Sequence, residues 1–230
     1  MSLPTVLRTI GRGRRFPHPF CKTPAMVNFM AAQSLNETEA LVRKAARGAG
    51  WAWGLAEEWG YAAKWLAARE LPIFLSPALA RPALSPAAVS NPISADGALC
   101  PLMTGLFLMD NQRHFHNGVM IKNLSYPLLS LPFVSLLGPM RLQWAGTNIA
   151  VGAGKHWLAK SDTLTAAVAD ATILPLVGTL PADGINPRDC GCPQNAEEWR
   201  RLETLAAKTF VAATADSRSH GAGAGLRDDN

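Results

Sequence analysis

The chain has 230 residues, of which 48% are hydrophobic and 17% are charged. This composition provides enough apolar side chains for one folded domain with a sizeable core, and it excludes global disorder. The longest apolar run, residues 124–137, is interrupted by Pro127 and Pro132. The sequence therefore predicts no membrane-spanning helix.

The net charge of +5 comes from a basic leader, because no acidic side chain precedes Glu37. Residues 37–230 are balanced, with 17 basic and 17 acidic side chains, which disfavours a nucleic-acid partner for the folded part. Three interpretations of the leader, residues 1–33, remain open: a disordered or over-extended start before Met26 or Met30, a basic arm for nucleic acid or an anionic surface, or a targeting segment. The basic side chains of the leader are Arg8, Arg12, Arg14, Arg15 and Lys22.

Residues 34–71 contain two amphipathic helical segments, which a Gly-rich joint connects. Ser34 and Glu37 have the S-x-x-E spacing of a capping box, which predicts a helix start. Apolar residues at helical spacing predict a second helix over about residues 55–70, ended by Pro72. The short joint predicts an antiparallel or angled pair. Four of the seven tryptophans lie in fifteen residues of this pair, and we interpret them as core or interface.

Six prolines among small residues mark residues 72–101 as a linker between this helical part and a β-rich middle. The middle alternates apolar runs with turn signals, and residues 145–147 and 152–154 have the composition of hairpin turns. In residues 164–177 the first half favours helix and the second half favours strand. The other strand candidates are residues 102–109, 120–124, 128–137, 140–144, 148–151 and 156–159.

A third helix is predicted near the C-terminus, where Asn195 and Glu198 provide a capping pattern. The predicted fold class is therefore α+β: an N-terminal helical pair, a mostly antiparallel β-sheet, a C-terminal helix and a Gly-rich tail. We assign residues 34–230 to this single domain. The apolar side of the third helix is predicted to be Trp199, Leu202, Leu205, Ala206 and Phe210.

The Gly-rich tail, residues 216–230, is the segment most suggestive of a site. Alternating Gly and Ala allow a close backbone approach, and successive N–H groups in such a run can hold an anion. Ser217 and His220 are the candidate catalytic residues, since an imidazole can move a proton and polarise a hydroxyl. A structural plug and a flexible terminus are the alternatives. The candidate anion-binding residues are Arg218, Gly221, Gly223 and Gly225.

Metal binding is not predicted. On a strand, His114 and His116 would share a face and could ligate a metal together with Asp110. The Asn117-Gly118 pair that follows is a turn signal, so the segment is better interpreted as a solvated hairpin tip. The cysteines have no zinc-knuckle or disulfide-framework spacing, so we expect reduced thiols. They are Cys21, Cys100, Cys190 and Cys192.

Three blocks, residues 34–69, 125–133 and 217–230, carry a resemblance to a known family. They resemble uncharacterised proteobacterial proteins known only as a domain of unknown function (DUF3726-like). The resemblance covers about residues 35–230 and excludes the leader before Met30. The family's ending implies an acid where this chain has Asn230. The resemblance implies no activity and no cofactor.

Two functions follow as hypotheses. The first is a small-anion or metabolite-binding protein, with or without enzymatic activity, whose site surrounds the tail. The second is a non-catalytic partner subunit or homo-oligomer that uses the Trp-rich helical pair as an interface. Because Arg14–Arg15 precedes FPHPF rather than an apolar stretch, no export signal is indicated and we expect a cytoplasmic protein.

Overall fold

The structure is a computed structural model that describes residues 33–152, 154–158, 163–178 and 195–210. The helices of this part are α1 Leu35–Gly48, α2 Trp53–Ala67, α3 Ser76–Leu79, α4 Pro101–Asp110, α5 Leu131–Val134 and α6 Ala196–Ala207. The strands are β1 Val119–Ser125, β2 Met140–Trp144, β3 Thr147–Gly152, β4 Lys155–Leu158 and β5 Val168–Pro175. The predicted α+β class, with its helical pair, antiparallel sheet and C-terminal helix, is confirmed.

The first helix begins at the predicted capping box. Ser34 Oγ accepts a hydrogen bond from Glu37 N at 3.1 Å, and Glu37 Oε2 accepts one from Ser34 N at 2.9 Å. These bonds hold the pKa of Glu37 below its ordinary value. The helix ends before Gly50, whose φ of 96° is the left-handed conformation that glycine adopts readily. Helix α2 then returns along α1, so the predicted pair is confirmed.

Two strand predictions are wrong. Residues 102–109 form α4, and residues 128–137 form α5 between two 3₁₀ turns, Pro127–Ser130 and Ser135–Leu137. In each case a proline occupies the first or second position of the helix, where its missing N–H costs nothing. Both segments are apolar on most sides because they are buried, and a buried helix cannot be told from a buried strand by periodicity.

The five strands form one antiparallel sheet in the order β1-β5-β2-β3-β4. The predicted strands at residues 120–124, 140–144 and 148–151 are confirmed. Ala145 and Gly146 both have positive φ, as the tight hairpin turn between β2 and β3 requires. The helix favoured for the first half of residues 164–177 is wrong, because β5 already begins at Val168 and pairs with β1 and β2.

Part of the Pro-rich segment lies along the free edge of β1. Ile93 and Leu99 make parallel bridges to Ile121 and Leu124. Ile93 N donates to Met120 O at 2.8 Å, and Leu99 N donates to Asn123 O at 2.9 Å. These bonds cover backbone groups that an exposed edge strand would present to other chains.

A buried carboxylate fixes α6 against α3. Glu198 is 7% exposed and accepts hydrogen bonds from Leu75 N, Ser76 N and Ser76 Oγ at 2.8, 2.7 and 2.6 Å. The N-terminal cap of α6 is Asn195, as predicted, whose Oδ1 accepts from Glu197 N and Glu198 N. The side chain of Glu198 lies in the core, whereas that of Glu197 is at the surface and pairs with Arg201.

No helix among the described residues is long and apolar enough to cross a membrane.

We expect Glu198→Ala to lower the free energy of unfolding by about 2–4 kcal/mol, because it leaves two buried backbone N–H groups without an acceptor. The matched control is Glu197→Ala, which removes an exposed i,i+4 ion pair with Arg201 and should cost at most about 1 kcal/mol. Urea unfolding at neutral pH measures both. Equal losses for the two variants would contradict the assigned role of Glu198.

We also expect Gly48→Ala to be destabilising, by about 2 kcal/mol or more, because a Cβ there would lie 1.8 Å from Leu205 O and force α6 away from α1. The control Gly54→Ala is in a helix with open space around the new Cβ. It should be neutral or stabilising by up to about 1 kcal/mol. Thermal unfolding monitored by circular dichroism distinguishes the two, and a neutral Gly48→Ala would show that α1 and α6 do not touch there.

Candidate functional site

A cleft of about 590 Å³ opens where α4 and its following turn meet one end of the sheet. Its walls come from three stretches of the chain: α4 with the following turn and the start of β1, the residues that lead into β2, and the end of β5. The apolar lining residues are Leu108, Phe115, Val119, Leu137, Pro139, Met140, Ile173, Pro175 and Leu176.

The floor of the cleft is preformed by the core. Leu108, Phe115, Val119 and Ile173 are each less than 7% exposed. The Phe115 ring packs against Phe107 with 6.2 Å between centroids. Such side chains are locked by packing on all other sides, so a ligand here would meet a rigid apolar surface.

One glycine allows the turn to close over the sheet. Gly118 has a φ of 96°, and a Cβ at this position would lie 2.7 Å from Ile173 O and 2.8 Å from Leu174 Cδ2. Gly118 N also donates to Phe115 O at 2.9 Å. The turn is therefore held at Phe115, which lies in the core, and at Gly118, which contacts β5. His116 lies between these two residues and is thereby placed at the cleft.

The mouth of the cleft is polar and consists of Gln112, Arg113 and His116. Arg113 Nε donates to His114 Nε2 at 3.3 Å, and His116 Nδ1 lies 3.0 Å from Arg113 O. Because a carbonyl oxygen only accepts, Nδ1 of His116 carries the hydrogen of this bond. His116 Nε2 and the terminal nitrogens of Arg113 make no hydrogen bond to the residues that the structure describes.

The positive charge at the mouth has no counter-ion among the residues that the structure describes. Arg113 forms no ion pair within the described residues, and no carboxylate, thiol, hydroxyl or amine lines the described part of the cleft. A guanidinium is always charged near neutral pH and recognises carboxylate or phosphate oxygens. The arrangement is an apolar chamber with one permanent cation, one imidazole and one amide at its entrance.

The predicted tail site is not among the described residues. Ser217, Arg218 and His220 lie in residues 211–230, outside the described part, as do Gly221, Gly223 and Gly225. The tail hypothesis therefore stays a prediction. Of the cysteines, Cys100 is described: it is buried and free, and burial raises the pKa of its thiol.

The geometric argument for a metal at His114 and His116 fails. His114 ends a 3₁₀ turn, Gln112–His114, and His116 follows in a turn, so the two side chains do not share a strand face. Within the described ranges, no group of three His, Cys, Asp or Glu side chains could hold a metal ion. A different sequence signal could have indicated the mouth of the cleft: Arg113 and His116, a basic residue and a histidine, follow soon after the apolar helix α4.

The tryptophans divide into core and surface. Trp51, Trp59 and Trp65 are buried, as predicted for core residues, and Trp51 packs edge-on against Trp59 at 5.5 Å between centroids. Trp53, in contrast, is 60% exposed. The helical pair therefore presents one exposed indole rather than a broad aromatic patch.

Comparisons with known proteins support a family assignment and no more. No curated protein and no solved structure matches the chain. Residues 33–74 match the model of a family described as Protein of unknown function (DUF3726). This segment spans α1, the Trp-bearing joint and α2, the first of the three blocks on which the resemblance rested. The match confirms that the chain carries a segment of this domain-of-unknown-function family.

Proposed function

We propose that the protein binds a small organic anion with an apolar body in the cleft between α4 and the sheet. One observation carries the proposal: an apolar chamber of about 590 Å³ has at its mouth the guanidinium of Arg113, which forms no ion pair with the described residues. Small-molecule sites in proteins are commonly concave, mostly apolar and about 300–1,000 Å³ in volume, with a few polar groups that orient the ligand.

The two ends of the ligand follow from the two parts of the cleft. The apolar body covers Phe115, Val119 and Ile173 and is stabilised by about 25 cal/mol for each Å² removed from water. The anionic group lies at the mouth, where Arg113 donates two hydrogen bonds to a carboxylate. Gln112 provides a neutral donor beside it, which favours a group with more than one oxygen.

His116 determines what the site can do beyond binding. Its Nε2 accepts a proton when the ring is neutral and donates one when the ring is charged, at the entrance that the anionic group occupies. The described lining offers no side chain that acts readily as a nucleophile. These features favour a binding protein, or proton transfer to the bound anion, over covalent catalysis.

We expect the protein to bind sodium octanoate, and to bind the neutral octanamide more weakly by about tenfold or more, since only the carboxylate forms charge-assisted bonds with Arg113. Arg113→Gln should weaken octanoate by about 10–100-fold and leave octanamide unchanged. Arg200→Gln is the matched control, because it removes the same charge from an exposed position on α6, away from the cleft. Isothermal titration calorimetry measures each affinity.

The result that would overturn the proposal is equal binding of octanoate and octanamide, or equal loss of octanoate affinity in Arg113→Gln and Arg200→Gln. The proposal would also be overturned if the folded protein bound neither octanoate nor any of the shorter or aromatic carboxylates. Amide chemical shifts locate the bound ligand independently of the affinities. A ligand in the cleft should change the amide shifts of Gly118 and Val119 but not those of residues in α1.

A truncated chain that ends at Asp216 distinguishes the cleft from the predicted tail site. If the cleft carries binding, the truncated protein should keep its octanoate affinity. Lost affinity with an unchanged melting temperature would support the tail hypothesis at Ser217–Gly225 instead. Circular dichroism of the truncated protein is the control for folding.

A further inference from the structure

The turn that carries the mouth of the cleft, residues 111–118, is held by its own backbone and by the core. His114 N donates to Asn111 O at 2.9 Å, and Phe115 N donates to Gln112 O at 3.0 Å. The side chain of Phe115 is buried and anchors the turn against the floor of the cleft. The side chains at the mouth therefore start from a fixed backbone, which a ligand does not have to order when it binds.

The ring of His116 is exposed at the mouth and is oriented by a backbone acceptor. Its Nδ1 lies 3.0 Å from Arg113 O, and a carbonyl oxygen only accepts, so Nδ1 carries a hydrogen in both charge states of the ring. Nε2 is therefore the atom at which the ring gains or loses its proton. Because the acceptor belongs to Arg113, the imidazole and the guanidinium are carried by the same short stretch of the turn.

A proton on Nε2 puts a second positive charge at the mouth without a neutralising acid in the described lining. The residues that line the cleft from α4, β1, the start of β2 and the end of β5 are uncharged. Arg113 and His116 are the ionisable groups of this lining, and both come from the turn. Two like charges at one entrance favour a ligand whose negative head group lies between them.

The other ionisable groups around the mouth do not line the cleft. Asp110, at the end of α4, forms no ion pair with the described residues. His114 Nε2 accepts a hydrogen bond from Arg113 Nε at 3.3 Å, so this second imidazole is the alternative proton acceptor of the turn. The charged side chains of the adjoining strands are Lys122 on β1, Arg141 on β2 and Asp170 on β5, of which Lys122 and Asp170 pair with each other.

We propose that His116 makes anion binding in the cleft depend on pH, because protonation of Nε2 adds a second cation beside Arg113. The inference rests on the proposed function of the cleft. An imidazole ordinarily exchanges its proton between about pH 5 and pH 8. An anion that binds the charged ring better than the neutral ring takes up a proton as it binds, so its affinity rises as the pH falls. The guanidinium stays charged throughout, so binding weakens above neutral pH without being lost.

Sodium octane-1-sulfonate tests the inference, because the charge of a sulfonate does not change in this range and any pH dependence then comes from the protein. We expect the full chain to bind it about three- to tenfold more tightly at about pH 5.5 than at about pH 8. Isothermal titration calorimetry measures both affinities. Repeating the titration near neutral pH in two buffers of different ionisation enthalpy should show net proton uptake on binding.

Two histidine variants assign the effect to one ring. His116→Gln keeps a polar side chain that takes up no proton, and it should bind the sulfonate with equal affinity at the two pH values and without proton uptake. His114→Gln is the matched control in the same turn. Its amide oxygen still accepts from Arg113 Nε, and the rise in affinity at low pH should persist. Circular dichroism at each pH checks that both variants are folded.

The possible failures of the inference and of the proposed function are distinct. Equal wild-type affinity at the two pH values would overturn the inference and leave the proposed function in place. A rise that persists in His116→Gln, or one that is lost in His114→Gln, would do the same. A folded wild-type protein that bound neither the sulfonate nor the carboxylates at either pH would overturn the proposed function, and the inference with it.

Discussion

The carboxylate of Glu198 is the interaction on which the arrangement of the helices depends. An ionised side chain in the core is costly unless its oxygens are fully hydrogen-bonded, and here two backbone N–H groups and one hydroxyl satisfy them. The bonds join α6 to a helix of a single turn, α3, which could not stay folded by itself. Because α3 in turn accepts the indole N–H of Trp51, the position of the α1–α2 joint also depends on this carboxylate.

The helical end and the sheet end of the molecule present different chemistry. At the helical end, Lys64 pairs with Glu39 and Arg201 pairs with Glu197, and Trp53 presents an exposed indole. At the sheet end, Arg113 has no ion-pair partner within the described residues and stands over apolar side chains, which suits a small amphipathic anion.

Local signals in the sequence were sufficient for several elements. The Ser34–Glu37 capping box, the Asn195 cap and the hairpin turn predicted at residues 145–147 each depend on side chains or backbone conformations within a few residues. Each is present, the turn with positive φ at Ala145 and Gly146. Residues 102–109 and 128–137 were predicted wrongly for the opposite reason. Their uniform apolarity records burial on several sides, and only contacts with distant segments, such as Gly105 against Phe133, determine that they are helical.

The sequence by itself determined the class of fold, the starts of α1 and α6 and the segment that matches a family of unknown function, because these depend on spacing between near neighbours. Tertiary structure alone decided where the candidate sites are. The cleft takes its walls from residues more than sixty positions apart, and β5 lies between β1 and β2 although it follows β4 in the chain. Likewise, the packing of the helices decided that Glu198 and Trp51 are buried while Glu197 and Trp53 are exposed.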